Sequence, residues 1–270
     1  MSGELRLFLT AVQFFTRIPV PAWVGHSAQQ LDGASRYFPL VGLLLGGGAV
    51  TVLLLTCAPL GSLVAAILAT LFTVMLTGAF HEDGLADSAD GLYGGWTRED
   101  RLRIMKDSRI GPFGAMALVL ILALKIALLA RLPCALAACA LLIGQSQSRW
   151  CVLLVMRTLK YVREDLDSRA KPLATHISTG ALLVASLLGP VLAIAAVITV
   201  ASHSAWLDVS LRVVTLAIAA SFVMSVAGML LVRGTLRRKL GGYTGDGLGA
   251  TQQISEVCGY LGFALICAWS

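Results

Sequence analysis

Charge is scarce in this chain. Asp, Glu, Lys and Arg make up 13% of its 270 residues, against about 25% in soluble domains, which excludes a surface built to face water on every side. Acid is scarcer than base, with 15 Asp and Glu beside 21 Lys and Arg. The six cysteines, at 57, 134, 139, 151, 258 and 267, all lie in apolar stretches. They show neither CxxC spacing nor a nearby His, so nothing in their pattern suggests a zinc site or a disulfide framework. They read as small core or lipid-facing residues. His26, His176 and His203 have no acidic or Cys neighbour at ligand spacing. No internal repeat, low-complexity tract, separate soluble domain or transporter-like symmetry is visible.

Hydrophobicity is abundant: 57% of residues are apolar and the mean hydropathy is +0.81. Runs near 20 residues long mark candidate spans at 38–57, 60–80, 112–131, 134–156, 180–201, 211–232 and, more weakly, 257–269. Pro59 and Pro133 close two pairs of spans into tight hairpins. The expected fold is all-α: a polytopic integral membrane helical bundle of about six or seven transmembrane helices, one domain over 1–270. Residues 1–21 read as an N-terminal amphipathic interfacial helix, because Arg6, Thr10, Gln13 and Arg17 form a polar stripe that ends at Pro19 and Pro21.

All but four of the 21 basic residues (Lys125, Arg131, Arg149 and Arg212) fall in the N-terminal arm or in the stretches 81–110, 157–179 and 233–256. The tips 58–59 and 132–133 and the loop 202–210 carry none. Every second connection is basic, which predicts that the arm and those three loops are cytoplasmic. The net charge of +6 is then a topology signal, and nucleic acid is not an expected partner.

Against this background residues 81–91, "HEDGLADSADG", stand out. On a helix Asp83, Asp87 and Asp90 share an arc of about 60°; Glu82 lies about 100° away. No Lys or Arg occurs from 81 to 97. Carboxylates on one face repel unless a cation sits among them, and all-oxygen donors favour Mg²⁺, Mn²⁺ or Ca²⁺. Magnesium held by a few carboxylates completes its shell with phosphate and water. Glu82, Asp83, Asp87 and Asp90 are therefore the candidate metal ligands. Gly84 and Gly91 beside the aspartates imply close approach of a ligand or another helix.

Two further stretches face the same side. In "MKDSRIGPFG", 105–114, Lys106 and Arg109 suit phosphate; Asp107 or Ser108 could equally be a helix cap. In "GGYTGDGLGATQQ", 241–253, glycines can present backbone amides to phosphate, with Asp246 as a further ligand or base. Arg17 either joins the site or snorkels to headgroups. Lys125, Gln145, Gln147 and Arg149 lie at or near membrane depth, where polar residues usually face a cavity or a partner.

Together "FFTRIPVP", "FHEDGLADSADGL", "MKDSRIGPFGA" and "GGYTGDGLGATQQ", in this order and across the chain, resemble the adenosylcobinamide-GDP ribazoletransferase (cobalamin synthase) family. The resemblance implies a magnesium-dependent, multi-pass enzyme of the cell inner membrane with its site on the cytoplasmic face. It would join adenosylcobinamide-GDP to α-ribazole or α-ribazole 5′-phosphate and release GMP. Asp246 and Asp90 are the candidate catalytic residues. Candidate substrate contacts are Arg17, His81, Lys106, Asp107, Arg109, Thr244, Gly245 and Gln252. Membrane lipid surrounds the chain, and a second copy or other enzymes of B12 assembly are candidate protein partners. CDP-alcohol phosphotransferases are rivals, but Asp87 stands where their motif has Arg. Intramembrane prenyltransferases need a second Asp-rich motif, and a cation transporter needs carboxylates at mid-membrane.

Overall fold

The computed structural model describes residues 3–25, 27–162, 177–203 and 210–268. Among the described residues there is no strand, only an isolated bridge between Tyr161 and Tyr243. Helices α1 (Gly3–Phe15) and α2 (Ala28–Ala34) lead through the 3₁₀ turn Ser35–Tyr37 into α3 (Phe38–Thr77). Helix α3 is not a single rod. Two residues after Pro59, Gly61 adopts φ 81°, ψ 163°, a conformation open to glycine. The chain doubles back, so that Gly48 lies on Phe72 and the Leu76 carbonyl returns to accept from the Arg17 N–H at 2.7 Å. This is the hairpin expected between the first two spans.

Beyond α3 the chain turns sharply. Gly78 has φ 67° and Ala79 φ 59°; a left-handed alanine costs on the order of 1–2 kcal/mol. The Ala79 N–H donates to the Val74 carbonyl, and the Ala79 carbonyl accepts from the Asp83 N–H, each at 2.9 Å. The turn delivers α4 (Phe80–Gly94), which carries the acidic cluster, then α5 (Arg98–Ile104). There follow α6 (Pro112–Arg131), α7 (Cys134–Thr158) and α8 (Thr179–Ser186); a π turn at Leu187–Val191 links α8 to α9 (Leu192–His203). Helices α10 (Leu211–Leu240) and α11 (Gly245–Cys267) complete the fold.

Among the described residues five segments are long and apolar enough to cross a membrane: Gln29–Thr77, Pro112–Arg131, Cys134–Thr158, Thr179–Ser202 and Leu211–Leu240. Leu55, Met75, Val119, Leu120 and Leu231 are each at least 67% exposed. Large apolar side chains bared over the length of the bundle are what a lipid-facing surface requires. Helix α7 forms the centre, buried along most of its length and packed by α3, α10 and α11.

Several expected boundaries move. The loop drawn at 233–256 is mostly helix: α10 runs to Leu240 and α11 begins at Gly245. The weak final span becomes a 23-residue helix. Its first half escaped notice because its polar residues face other helices, as described below. The stretch 81–110 likewise holds two helices. Of the basic loop 157–179, Arg163, Arg169 and Lys171 lie outside the described residues, as do His26, His176 and Trp269. Of the stretch 1–21, the helix covers Gly3–Phe15 and stops short of Arg17; it packs on α2 and α3, and Thr10 of the expected polar stripe is buried. Finally, Cys57 and Cys134 are joined as a disulfide. They lie 77 residues apart in sequence, and the packing of the first arm of α3 along α7, Gly42 against Gln145 and Gly46 against Leu142, brings them together.

Candidate active site

Helix α4 packs between α11 and α6. Glu82 and Asp83 sit in its first turn, where negative charge complements the helix dipole. The four acidic residues of the cluster then diverge. Asp83 is exposed and Asp87 half-buried, one turn apart on the same face. Glu82 is buried, and its Oε1 accepts from Gln253 Nε2 at 2.9 Å, while Oε2 has no partner. Asp90 is 7% exposed and points at the start of α6. Its Oδ2 accepts from the Gly111 N–H at 2.7 Å and its Oδ1 from the Gly114 N–H at 2.9 Å. Gly111 is the N-cap position of α6 and has no side chain to cap with, so a carboxylate from a neighbouring helix satisfies the free amides.

The start of α11 meets α4 backbone to backbone. A Cβ on Gly84 would stand 3.0 Å from the Asp246 carbonyl oxygen and 3.1 Å from the Gly249 Cα; one on Gly249 would stand 3.1 Å from the His81 carbonyl oxygen. The glycines of the two motifs therefore serve a helix crossing, and it brings the turn of Asp246 onto the face of α4 between Glu82 and Asp87. Thr244 caps α11 by accepting from the Gly247 N–H at 3.1 Å. Gly91, the other glycine of the cluster, lies against Arg101 of α5 and Met105 just after it.

The basic residues divide by task. Arg98 Nε donates to the Leu240 carbonyl at 2.8 Å and Arg101 to the Lys239 carbonyl at 3.1 Å, closing the C-terminal end of α10 as cations should. Lys239 Nζ donates to the Leu92 carbonyl at 2.6 Å. These bonds tie α4, α5 and α10 together at the end of the bundle. Arg109 forks onto Asp107, with Nη2 to Oδ2 at 2.7 Å and Nε to Oδ1 at 3.0 Å. The Arg109 side chain and backbone N–H hold the Asp107 carboxyl down at about 2. The pair lines an open groove of about 510 Å³ together with Asp90, Ile110 and Phe113. Lys106 is exposed nearby.

At the other edge the His81 imidazole stacks on Phe15, ring centroids 5.4 Å apart and 12° from parallel. The Arg149 guanidinium lies over the same Phe15 ring, 5.8 Å from its centroid. Gly245, Gly249 and His81 border a cavity of about 20 Å³, room for roughly one water. Arg17 is exposed, its guanidinium packed over Gly78 at the entry to α4. Gln252 is buried, donating to Ser148 Oγ at 3.1 Å and to Glu256 Oε2 at 2.6 Å.

Among the described residues no group of three or more His, Cys, Asp and Glu is arranged around one point for a metal ion. The expected four-ligand platform is thus not gathered in one place, because Asp90 is engaged with α6. Magnesium needs only one or two carboxylates when phosphate and water supply the rest. Asp83 and Asp87, with the unpartnered Oε2 of Glu82, fit that lighter demand. Three residues escaped the sequence reading. Gln253, Glu256 and Tyr260 are fully or almost fully buried. The stripe Gln252, Glu256, Tyr260 at four-residue spacing would have signalled Glu256 and Tyr260, had the last helix been started at Gly245.

A polytopic helical bundle that sets carboxylates of α4 beside the start of α11 and an open groove holding the Asp107–Arg109 pair belongs to the class of helical membrane proteins with a polar, carboxylate-rich site at one end of the bundle. Within that class, the chain belongs to the cobalamin-5-phosphate synthase family, whose model matches residues 7–264. It is 44% identical to the adenosylcobinamide-GDP ribazoletransferase of Shewanella frigidimarina (strain NCIMB 400) over 97% of both chains. It is 43% identical to that of Shewanella sp. (strain W3-18-1) over 96% of this chain and 93% of the relative. No solved structure matches the chain.

Proposed function

We propose that this protein joins a ribazole to adenosylcobinamide-GDP at the cytoplasmic face of the inner membrane. Family membership over almost the whole length supports the activity. The crossing of α4 and α11 at Gly84 and Gly249 is the observation that carries the mechanism. It sets two carboxylate-bearing segments, drawn from distant parts of the chain, against each other, with the groove of Asp90, Asp107 and Arg109 at the neighbouring start of α6.

In the reaction a hydroxyl of α-ribazole, or of its 5′-phosphate, attacks the pyrophosphate phosphorus on the cobinamide side. The new P–O bond forms as the bond to GMP breaks, and GMP departs with the electron pair. Such transfers demand in-line positioning and neutralised oxygens more than covalent catalysis. Asp83 and Asp87, with Glu82, would hold magnesium, which when bound neutralises pyrophosphate charge. Lys106 and Arg109 stand beside the groove to receive further phosphate charge. Asp246 would accept the attacking hydroxyl's proton or serve as a further ligand to the metal. Asp90 holds the α6 end of the groove in place.

The deciding assay is release of GMP from adenosylcobinamide-GDP by the purified protein in lipid, with ribazole and Mg²⁺ present. Release that needs both supports the reading; no release, or release indifferent to ribazole, overturns it. Asp246→Asn separates the two roles of that residue. Loss of a ligand raises the Mg²⁺ requirement. Loss of a base lowers kcat at saturating Mg²⁺ and flattens the acid limb of the pH–rate profile. A variant matching its parent in all three would remove Asp246 from the site.

A further inference from the structure

Inside the bundle, Glu256 of α11 is fully buried and receives only donors. Lys125 Nζ of α6 stands 2.6 Å from its Oε1. The same oxygen accepts from Gln145 Nε2 of α7 at 2.7 Å and from the Tyr260 hydroxyl at 2.8 Å. Its Oε2 accepts from Gln252 Nε2 at 2.6 Å. Four donors on two oxygens can be met only by an ionised carboxylate, since a carboxylic acid or an amide would turn an N–H or O–H toward one of them.

This fixes which way every attached amide faces. Gln252 spends both Nε2 hydrogens, on Glu256 and on Ser148 Oγ, so its Oε1 faces away and accepts from Gln253 Nε2 at 2.9 Å. Gln253 then spends its second Nε2 hydrogen on Glu82 Oε1 at 2.9 Å. On the other branch Gln145 turns Nε2 to Glu256, so its Oε1 accepts from Arg149 Nη1 at 2.9 Å. Reversing Gln145 or Gln252 would set donor against donor at its far end, and reversing Gln253 would set acceptor against acceptor at both of its bonds. One carboxylate therefore sets the polarity of a chain that ends at Glu82 in the acidic cluster and at Arg149 above Phe15, the ring on which His81 stacks. At the Glu82 end, Glu82 Oε2 and Gln253 Oε1 are left as buried acceptors without partners, open to a donor or cation brought by substrate.

We propose that Glu256, neutralised by Lys125, is a positioning residue: through Gln252 and Gln253 it holds Glu82 of the acidic cluster in its working orientation. This rests on the transferase reading above. Polar side chains at this depth serve function more often than packing. A satisfied buried network of this kind fixes a single arrangement, whereas a half-satisfied one does not.

The test measures kcat, KM for adenosylcobinamide-GDP and thermal unfolding in lipid nanodiscs. The variants are Glu256→Gln, Gln252→Leu, Gln253→Leu, the Gln252→Leu/Gln253→Leu pair, and Lys125→Met/Glu256→Gln, which restores charge neutrality. If the chain acts as a unit, each variant lowers kcat at least about tenfold while KM stays within about threefold. The glutamine pair is then no worse than either single change. The neutral double variant recovers thermal stability but not kcat. If the network only holds the fold, kcat per folded molecule equals the parent's in every variant, the glutamine effects on stability add, and the neutral double variant recovers thermal stability with parental kcat. Any of those results overturns the proposal. Failure of the transferase reading itself shows differently, as absence of GMP release by the unmutated protein.

Discussion

The aspartates of α4 look equivalent in sequence, yet their surroundings give them different work. Asp90 accepts two amide hydrogen bonds from the first turn of α6, while Asp83 is exposed. Asp83→Asn and Asp87→Asn are expected to lower activity by about 10–100-fold with unchanged thermal unfolding. Asp90→Ala is expected to destabilise the fold by about 1–2 kcal/mol as well, the cost of losing a cap. Activity and melting of the three variants side by side check this, and a parental melting temperature in Asp90→Ala would count against the capping role. The sequence showed the shared face of the three aspartates, but not that Gly111 lacks a cap of its own and borrows one. Asp107 makes a second point. Arg109 holds its carboxyl at about 2, below the usual 3.8. A depressed carboxyl contributes above its unfolded value and is lost only as the pH falls toward the folded one. The pair is therefore intact throughout the working range, and Asp107→Asn should leave both limbs of the pH–rate profile unmoved from about pH 5 to 9. A shifted acid limb would make Asp107 a proton acceptor.

At the scale of elements, the site depends on how closely α4 and α11 approach. Gly84→Ala would place a Cβ 3.0 Å from the Asp246 carbonyl; a valine cannot fit without parting the helices. A displacement of about 1 Å between positioned groups costs on the order of 100-fold in rate. Gly84→Val should therefore lose activity to about that extent and Gly84→Ala less, whereas Gly47→Ala, with open space at its Cβ, should match the parent. Equal rates in all three would mean the crossing does not position the chemistry. The same helix shows what hydropathy could and could not reveal. Spans flanked by basic loops and Pro-marked hairpins were legible because lipid contact demands unbroken apolar faces. The first half of α11 was not legible, because Gln252, Gln253 and Glu256 lower its hydropathy while being spent on partners in α4, α6 and α7. Those partners come from elsewhere in the chain, and only the packed bundle brings them together.

For the whole molecule, two independent features bear on sidedness. The basic residues cluster at one end, with Arg98, Arg101 and Lys239 bonded around the C-terminus of α10. The Cys57–Cys134 disulfide joins the turn of α3 to the start of α7, near the two tips that carry no basic loop. Basic loops favour the cytoplasm, and disulfides persist where the compartment is oxidising. The two signals agree if the acidic site faces inward and the Gly61 turn outward. Single-cysteine variants in a background freed of all six native cysteines can read this directly. Ser108→Cys lies in the exposed loop before α6, and Leu60→Cys at the exposed turn of α3. In intact cells an impermeant maleimide should label Leu60→Cys alone, and permeabilisation should expose Ser108→Cys. In the unaltered chain Cys57 and Cys134 should resist alkylation until a reductant is added. Labelling of Ser108→Cys from outside would invert the molecule, move the acidic site away from cytoplasmic nucleotide substrates, and take the proposed reaction with it.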